Sequence, residues 1–196
     1  MHKATILFIG FLITFATAWT GLVLLPARHY NAQAAQLPAA SSADEALIDR
    51  GRQVYQANGC LYCHSQQVSP RHFRRDQERG WGERRTVSSD YLRDKIALLG
   101  TMRTGPDLAN IGIRNPSASW HSIHLYDPQL TSPGSTMPPF RFLFEPVKDG
   151  AVADAFALPD GTRVAPTADA RALVAYLLSL KHSQGEPPDA FEPPAK

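Results

Sequence analysis

The chain has 196 residues, with 20 basic and 18 acidic side chains and a formal net charge of +2. That length leaves room for one ordinary domain and its attachments, which excludes a multidomain enzyme, and so small a basic excess excludes a dedicated nucleic-acid binder. Sixteen prolines and 13 glycines in a chain that is 43% hydrophobic describe a folded domain rich in loops, not a disordered one. The two cysteines, Cys60 and Cys63, are three positions apart, so no disulfide framework can staple distant loops and their chemistry is local.

Residues 4–25 carry no charge and would make a helix of about 33 Å, enough to span a bilayer. A cleaved signal peptide competes with this reading, through Ala16-Thr17-Ala18 and Ala32-Gln33-Ala34. The first site cuts inside the apolar run and the second falls seven residues beyond it, so a retained anchor fits better. Loop charge does not fix the orientation, since Lys3 faces Arg28 and His29 across the span. Residues 26–43, alanine-rich with Pro26 and Pro38, read as a linker. The main domain is expected over 44–181. It opens on a helix capped by Ser42 with Glu45 and running through Leu47, Ile48, Val54 and Tyr55. A second helix begins after Thr167 as cap, with Leu173, Val174, Leu177, Leu178 and Leu180 on one stripe, and ends near Lys181. Residues 65–100 form a loop insert, and 182–196 a frayed, proline-rich tail. No alternating run is long enough to predict a sheet, so the class is mostly α, helix and loop.

Cys60-Leu61-Tyr62-Cys63-His64 is the C-x-x-C-H signature of covalent c-type haem attachment. Two cysteines at i and i+3 on a helical turn project to one side, where each thiol can meet a haem vinyl group, and His64 follows as the proximal iron ligand. A zinc site would need two further ligands of suitable spacing, and a dithiol redox pair would need a βαβ setting; neither context is visible. For the other axial position Met1 is at the wrong end of the anchor. Met137, in Ser135-Thr136-Met137-Pro138-Pro139, sits where proline favours an extended course that can hold a thioether against a haem face. Met102 can as easily fill core, and His121, His124 or an open position remain alternatives. Histidine–methionine ligation fills both axial sites and describes an electron carrier.

The order of motifs resembles the class I cytochrome c fold: Gly51 and Tyr55 before the haem signature, Thr104-Gly105-Pro106-Asp107-Leu108 after it, then the methionine loop and Leu173-Val174 through Leu177 in the last helix. The resemblance implies that the first and last helices cross at Gly51 and that the Pro106 carbonyl accepts the other ring N–H of His64. More specifically, Arg103-Thr104-Gly105-Pro106-Asp107-Leu108-Ala109, Trp120-His121-x-x-His124-Leu125-Tyr126-Asp127-Pro128 and Ser135-x-Met137-Pro138 resemble the monohaem subunit (subunit II) of cbb3-type cytochrome c oxidases. That likeness covers about half the chain. It implies a single-pass protein of the bacterial inner membrane, with one covalent haem c on a periplasmic domain. It would accept electrons from a periplasmic donor and pass them to the catalytic haem-copper subunit, alongside other cytochrome c subunits, with no catalytic site of its own.

Arg103 and Arg114 are possible partners of haem propionates, because guanidinium matches carboxylate in a two-pronged geometry. Between Arg71 and Lys95 lie eight basic and five acidic side chains with Phe73, Trp81 and Tyr91, which reads as a solvated charged loop or a docking surface. His121 and His124 share a helical face, and packing near the haem edge suits them better than a separate metal site. A copper-bearing oxidase subunit II would need further cysteines and is excluded. The small cytochrome subunit of nitric oxide reductase and a free-standing membrane-tethered shuttle or haem sensor remain as alternative functions.

Overall fold

The computed structural model describes residues 2–37, 42–94, 96–147 and 152–185. The chain divides into two compact units, residues 1–39 with 91–95, and residues 40–90 with 96–196. In the first, helix α1 (Lys3–Trp19), a π-helical turn (Thr20–Leu24) and helix α2 (Leu25–Ala34) run together as one helix of 32 residues, long and apolar enough to cross a membrane. No residue of α1 is buried, Phe11, Phe15 and Trp19 stack along it, and the Thr14 and Thr17 hydroxyls donate to carbonyls four residues back. These two hydroxyls are thus satisfied within the helix, as an apolar solvent would require.

The stretch expected to be a linker is therefore helical as far as Ala34; residues 38–41 lie outside those described. Two features account for it. Pro26 falls in the first turn of α2, and the wider π turn before it, closed by Leu25 N–H to the Thr20 carbonyl, relieves the i→i−4 ladder that a proline would otherwise break. Alanine, arginine and glutamine then favour continuation.

The second unit is built on helices α3 (Ser42–Ala57) and α6 (Ala168–Ser179), with short α4 (Ile111–Arg114) and α5 (Ala118–Tyr126) between them. The cap role assigned to the Ser42 side chain lies outside the described residues. Thr167 caps α6, its hydroxyl oxygen accepting from Ala170 N–H at 3.2 Å. A Cβ at Gly51 would run into the Ala172 carbonyl of α6 and stand 2.7 Å from Tyr176 Cβ, so α3 and α6 cross at backbone contact where the sequence offers no side chain. One turn on, Tyr55 and Tyr176 meet edge to face at 5.4 Å. Arg50 grips Asp169 with two bonds, of 2.8 and 3.0 Å, on the outside of the crossing. Leu173, Leu177, Ile111 and Leu125 fill the core behind it.

A small antiparallel sheet, not anticipated from the sequence, joins β1 (Phe144–Pro146), β2 (Phe156–Ala157) and β3 (Arg163–Pro166) in the order β1-β3-β2, with Phe144 opposite Pro166 and Phe156 opposite Val164. Strands of three, two and four residues are too short to show an alternation. A triangle of Tyr126, Phe144 and Phe156, all edge to face, ties the sheet to α5.

The insert and the tail depart from expectation. Val68, Asp76 and Ser89 of the insert are buried, so it is not a solvated loop throughout. Residues 182–185 do not fray: His182 N–H donates to the Ala109 carbonyl, Asn110 brackets a fully buried Ser183, and Arg84 donates to the Gly185 carbonyl. The remaining 186–196 lie outside the described residues.

Candidate haem site

Helix α3 delivers the chain to a single 3-10 turn, Cys60–Tyr62, and the Cys60 carbonyl accepts both Cys63 N–H (3.2 Å) and His64 N–H (3.0 Å). The three reactive residues thus lie within one tight turn. Cys60 is half-buried against the core and Cys63 is exposed. Burial, with the neighbouring Cys63, pushes the Cys60 thiol up to about 11, so it stays a thiol in neutral solution.

Residues 63–67 then run alongside 105–109, joined rung by rung. Gly105 N–H donates to the Cys63 carbonyl at 2.9 Å and Leu108 N–H to the Ser65 carbonyl at 2.7 Å. Between these rungs His64 Nδ1 meets the Pro106 carbonyl at 2.7 Å. A carbonyl can only accept, so Nδ1 carries the hydrogen and Nε2 the lone pair of the neutral ring. Burial lowers the His64 pKa, partly opposed by the Pro106 carbonyl, and keeps that ring neutral. A Cβ at Gly105 would overlap the imidazole. Glycine there is what allows the ring to lie against the chain that orients it.

His64 faces a cavity of about 480 Å³ whose lining, mostly apolar, includes Cys63, Pro106, Leu108, Trp120 and Met137. The loop carrying Met137 is fixed by Ser135, whose hydroxyl accepts from Met137 N–H, and by Gln129, whose amide spans Ser135 and Gly134. Imidazole and thioether therefore border one space. Met102 is 57% exposed and does not border it, so it does not fill core. His121 and His124 do line the cavity, but each has a structural partner: His121 Nε2 pairs with the Asn115 carbonyl at 2.9 Å, and His124 Nδ1 with Thr131 Oγ1 at 2.6 Å. His124 also stacks on Trp120 at 4.6 Å. Burial, helped by His121 and His64, takes the His124 pKa down to about 4, so it is neutral there. Among the described residues no group of three or more His, Cys, Asp or Glu gathers as a metal site.

The two arginines part company. Arg114 gives Nη2 to the Asp107 carbonyl at 2.7 Å and leaves Nη1 buried without a partner, close enough to His64 and His121 to depress both electrostatically. Arg103 is engaged within the protein. Its nitrogens go to Ser65 Oγ (2.6 Å), Asp76 Oδ1 (2.7 Å) and the Gln67 carbonyl (2.6 Å), and its face lies over Trp81. Sequence reading missed its partners. Asp107 follows Pro106 directly and could have been noticed, whereas Asp76 and Trp81 sit in the insert with no local signal.

A haem fits these residues. The cavity is mostly apolar, the imidazole is neutral with its outer N–H already taken, and Arg114, just outside the lining, keeps an unpaired buried guanidinium nitrogen close enough to act on His64 electrostatically. A loop-rich helical domain with such a site is that of a haem-binding electron carrier joined to a membrane-length helix. The family described as cytochrome c oxidase, mono-heme subunit/FixO matches residues 1–158, and the chain belongs to it. It is thus a subunit of a cytochrome c oxidase in electron transfer. The match stops short of β3 and α6. No curated protein matches the chain.

Proposed function

We propose that this chain is the membrane-anchored monohaem c-type cytochrome of a cbb3-type oxygen reductase, relaying single electrons from a periplasmic donor to the catalytic haem-copper subunit. The observation that carries the reading is one apolar cavity bordered by the oriented His64 imidazole and the Met137 thioether. Bound there, a haem supplies one-electron exchange at its iron. The Cys60 and Cys63 thiols would hold it as thioethers through its vinyl groups, His64 Nε2 and Met137 Sδ would ligate the iron, and Pro106 would keep the imidazole turned. Arg114 Nη1 offers its free hydrogen bonds to a propionate. Iron so ligated by protein would be closed to small molecules, and the chain would then have no catalytic site of its own. The crossing of α3 and α6 at Gly51 supports a class I cytochrome c fold. The 32-residue helix supports an inner-membrane anchor, with the domain on the periplasmic side where haem is attached.

The test is made on the chain expressed with its maturation machinery and extracted in detergent. The expected outcome is a haem-stained band on a denaturing gel, a mass above that of the bare polypeptide by one haem, and co-purification with a haem-copper subunit. A bare mass overturns the attachment, and extraction of the chain alone overturns the complex. Replacing Met137 by alanine should abolish the weak sulfur-to-iron band near the red end of the oxidised spectrum; survival of that band reassigns the ligand.

A further inference from the structure

The insert ends in an arrangement that the haem motif alone does not require. Asp107, fully buried, accepts at Oδ2 from Ser65 Oγ (2.6 Å) and Gln67 N–H (2.9 Å), and at Oδ1 from Ala109 N–H (2.8 Å). It therefore stitches the residue after His64 to the residue after Pro106, on either side of the His64–Pro106 bond. Arg103 backs the same seam, donating to Ser65 Oγ and the Gln67 carbonyl, with Nη2 3.5 Å from Asp107 Oδ2. What fixes Arg103 comes from the insert. Asp76, 1% exposed, receives Nη1 at 2.7 Å and is itself held by Ser69 N–H at 2.7 Å. Trp81 lays its ring over the guanidinium at 5.3 Å, and its backbone N–H donates to the Asp76 carbonyl.

We infer that Asp76 and Trp81 are positioning residues for the proximal ligand: through Arg103 and Asp107, the insert braces the His64–Pro106 hydrogen bond and so sets the reduction potential of the site. The inference rests on the haem reading above. Two physical effects act in one direction. A firmly held N–H···O=C bond makes the imidazole a stronger donor and favours the oxidised iron. The buried Asp76 carboxylate also contributes negative charge on this side of the ligand, offsetting Arg103, and that favours the more positive, oxidised site. Loosening the brace at Asp76 removes part of both, so the potential should rise. A loop serving only to pack or to dock would change stability or partner affinity and leave the potential of the isolated holoprotein where it was.

The experiment is a redox titration of the detergent-solubilised full-length holoprotein, wild type against Asp76→Asn, Asp76→Glu and Trp81→Ala, with Arg75→Gln as a control on the exposed Arg75–Glu78 pair. Asp76→Asn and Trp81→Ala should raise the midpoint potential and alter the g-values of the oxidised low-spin iron. Asp76→Glu should return toward wild type, and Arg75→Gln should leave both unchanged. If Asp76→Asn fails to mature, Ser65→Ala removes the hydroxyl shared by Arg103 and Asp107 and is read in the same way. A holoprotein with covalent haem, intact methionine ligation and an unmoved potential in these variants overturns the inference while leaving the haem reading in place. Wild-type protein without covalent haem overturns that reading instead.

Discussion

Replacing Gly105 by alanine tests the site at its most crowded point. Gly105 has no left-handed φ, so alanine suits the backbone and the objection to it is steric. The added Cβ would lie on the His64 ring, 2.7 Å from Nδ1 and 2.8 Å from Nε2. The ring cannot simply withdraw, because Nδ1 is held by Pro106 at 2.7 Å and Gly105 N–H by the Cys63 carbonyl at 2.9 Å. Crowding a packed region costs about 1–3 kcal/mol, and losing one of those bonds adds about 1 kcal/mol. The smaller conformational freedom of alanine in the unfolded chain returns about 0.4–1 kcal/mol. The net expectation is a loss of about 1–3 kcal/mol, with a displaced imidazole. Denaturant unfolding of the holoprotein reads the first, and the absorption spectrum with its sulfur-to-iron band reads the second. A Gly105→Ala holoprotein with wild-type stability and spectrum would refute the account of why glycine stands there.

At the helix crossing, Gly51→Ala should destabilise by about 1–3 kcal/mol by overpacking, although the same change in an exposed helix gains about 1 kcal/mol; a stabilised variant in thermal unfolding would contradict backbone contact between α3 and α6. Thr167→Ala removes both the cap on Ala170 N–H and the bond from its hydroxyl to the Leu143 carbonyl, for a loss of about 1–2 kcal/mol by denaturant midpoint. Burial alone would raise the Asp76 carboxyl, but the hydrogen bonds from Arg103 and Ser69 outweigh it and hold it below the usual range. Its stabilising contribution is thus present above about pH 4, the unfolded value, and is lost as pH falls through the lower folded one. Asp76→Asn should flatten that part of the acid limb of a stability-against-pH curve, and an unchanged limb would mean that Asp76 gains nothing from Arg103.

How much of this was legible depended on distance along the chain. Cys60, Cys63 and His64 lie within one turn, so their spacing carries their geometry. Thr167 and the apolar stripe after it likewise announce α6 locally. Met137 could be singled out because methionines are few and prolines follow it. Arg103 could not be read, since its destiny depends on Asp76, 27 residues away, in a loop without periodicity. A charge count there suggests a solvated surface, whereas one of its carboxylates is among the most buried groups in the domain. Pro26 misled for a related reason. Proline ends a helix in the interior but is tolerated in a first turn, and the π turn that creates such a place has no sequence signature known from a single chain.

The cavity and the loops explain each other. A region that keeps about 480 Å³ behind mostly apolar walls has delegated part of its core to the group that fills it. Helices α3 and α6 make one firm contact, and almost everything between them is loop, 3-10 turn and very short strand, elements that hold their shape by what they surround. The ladder from Cys63 to Ala109, with Arg103 and Asp107 closing it, is where the polypeptide supplies its own order in that region. Its place beside His64 follows from need: the side chain that must be fixed most closely stands where the chain has least regular structure to fix it.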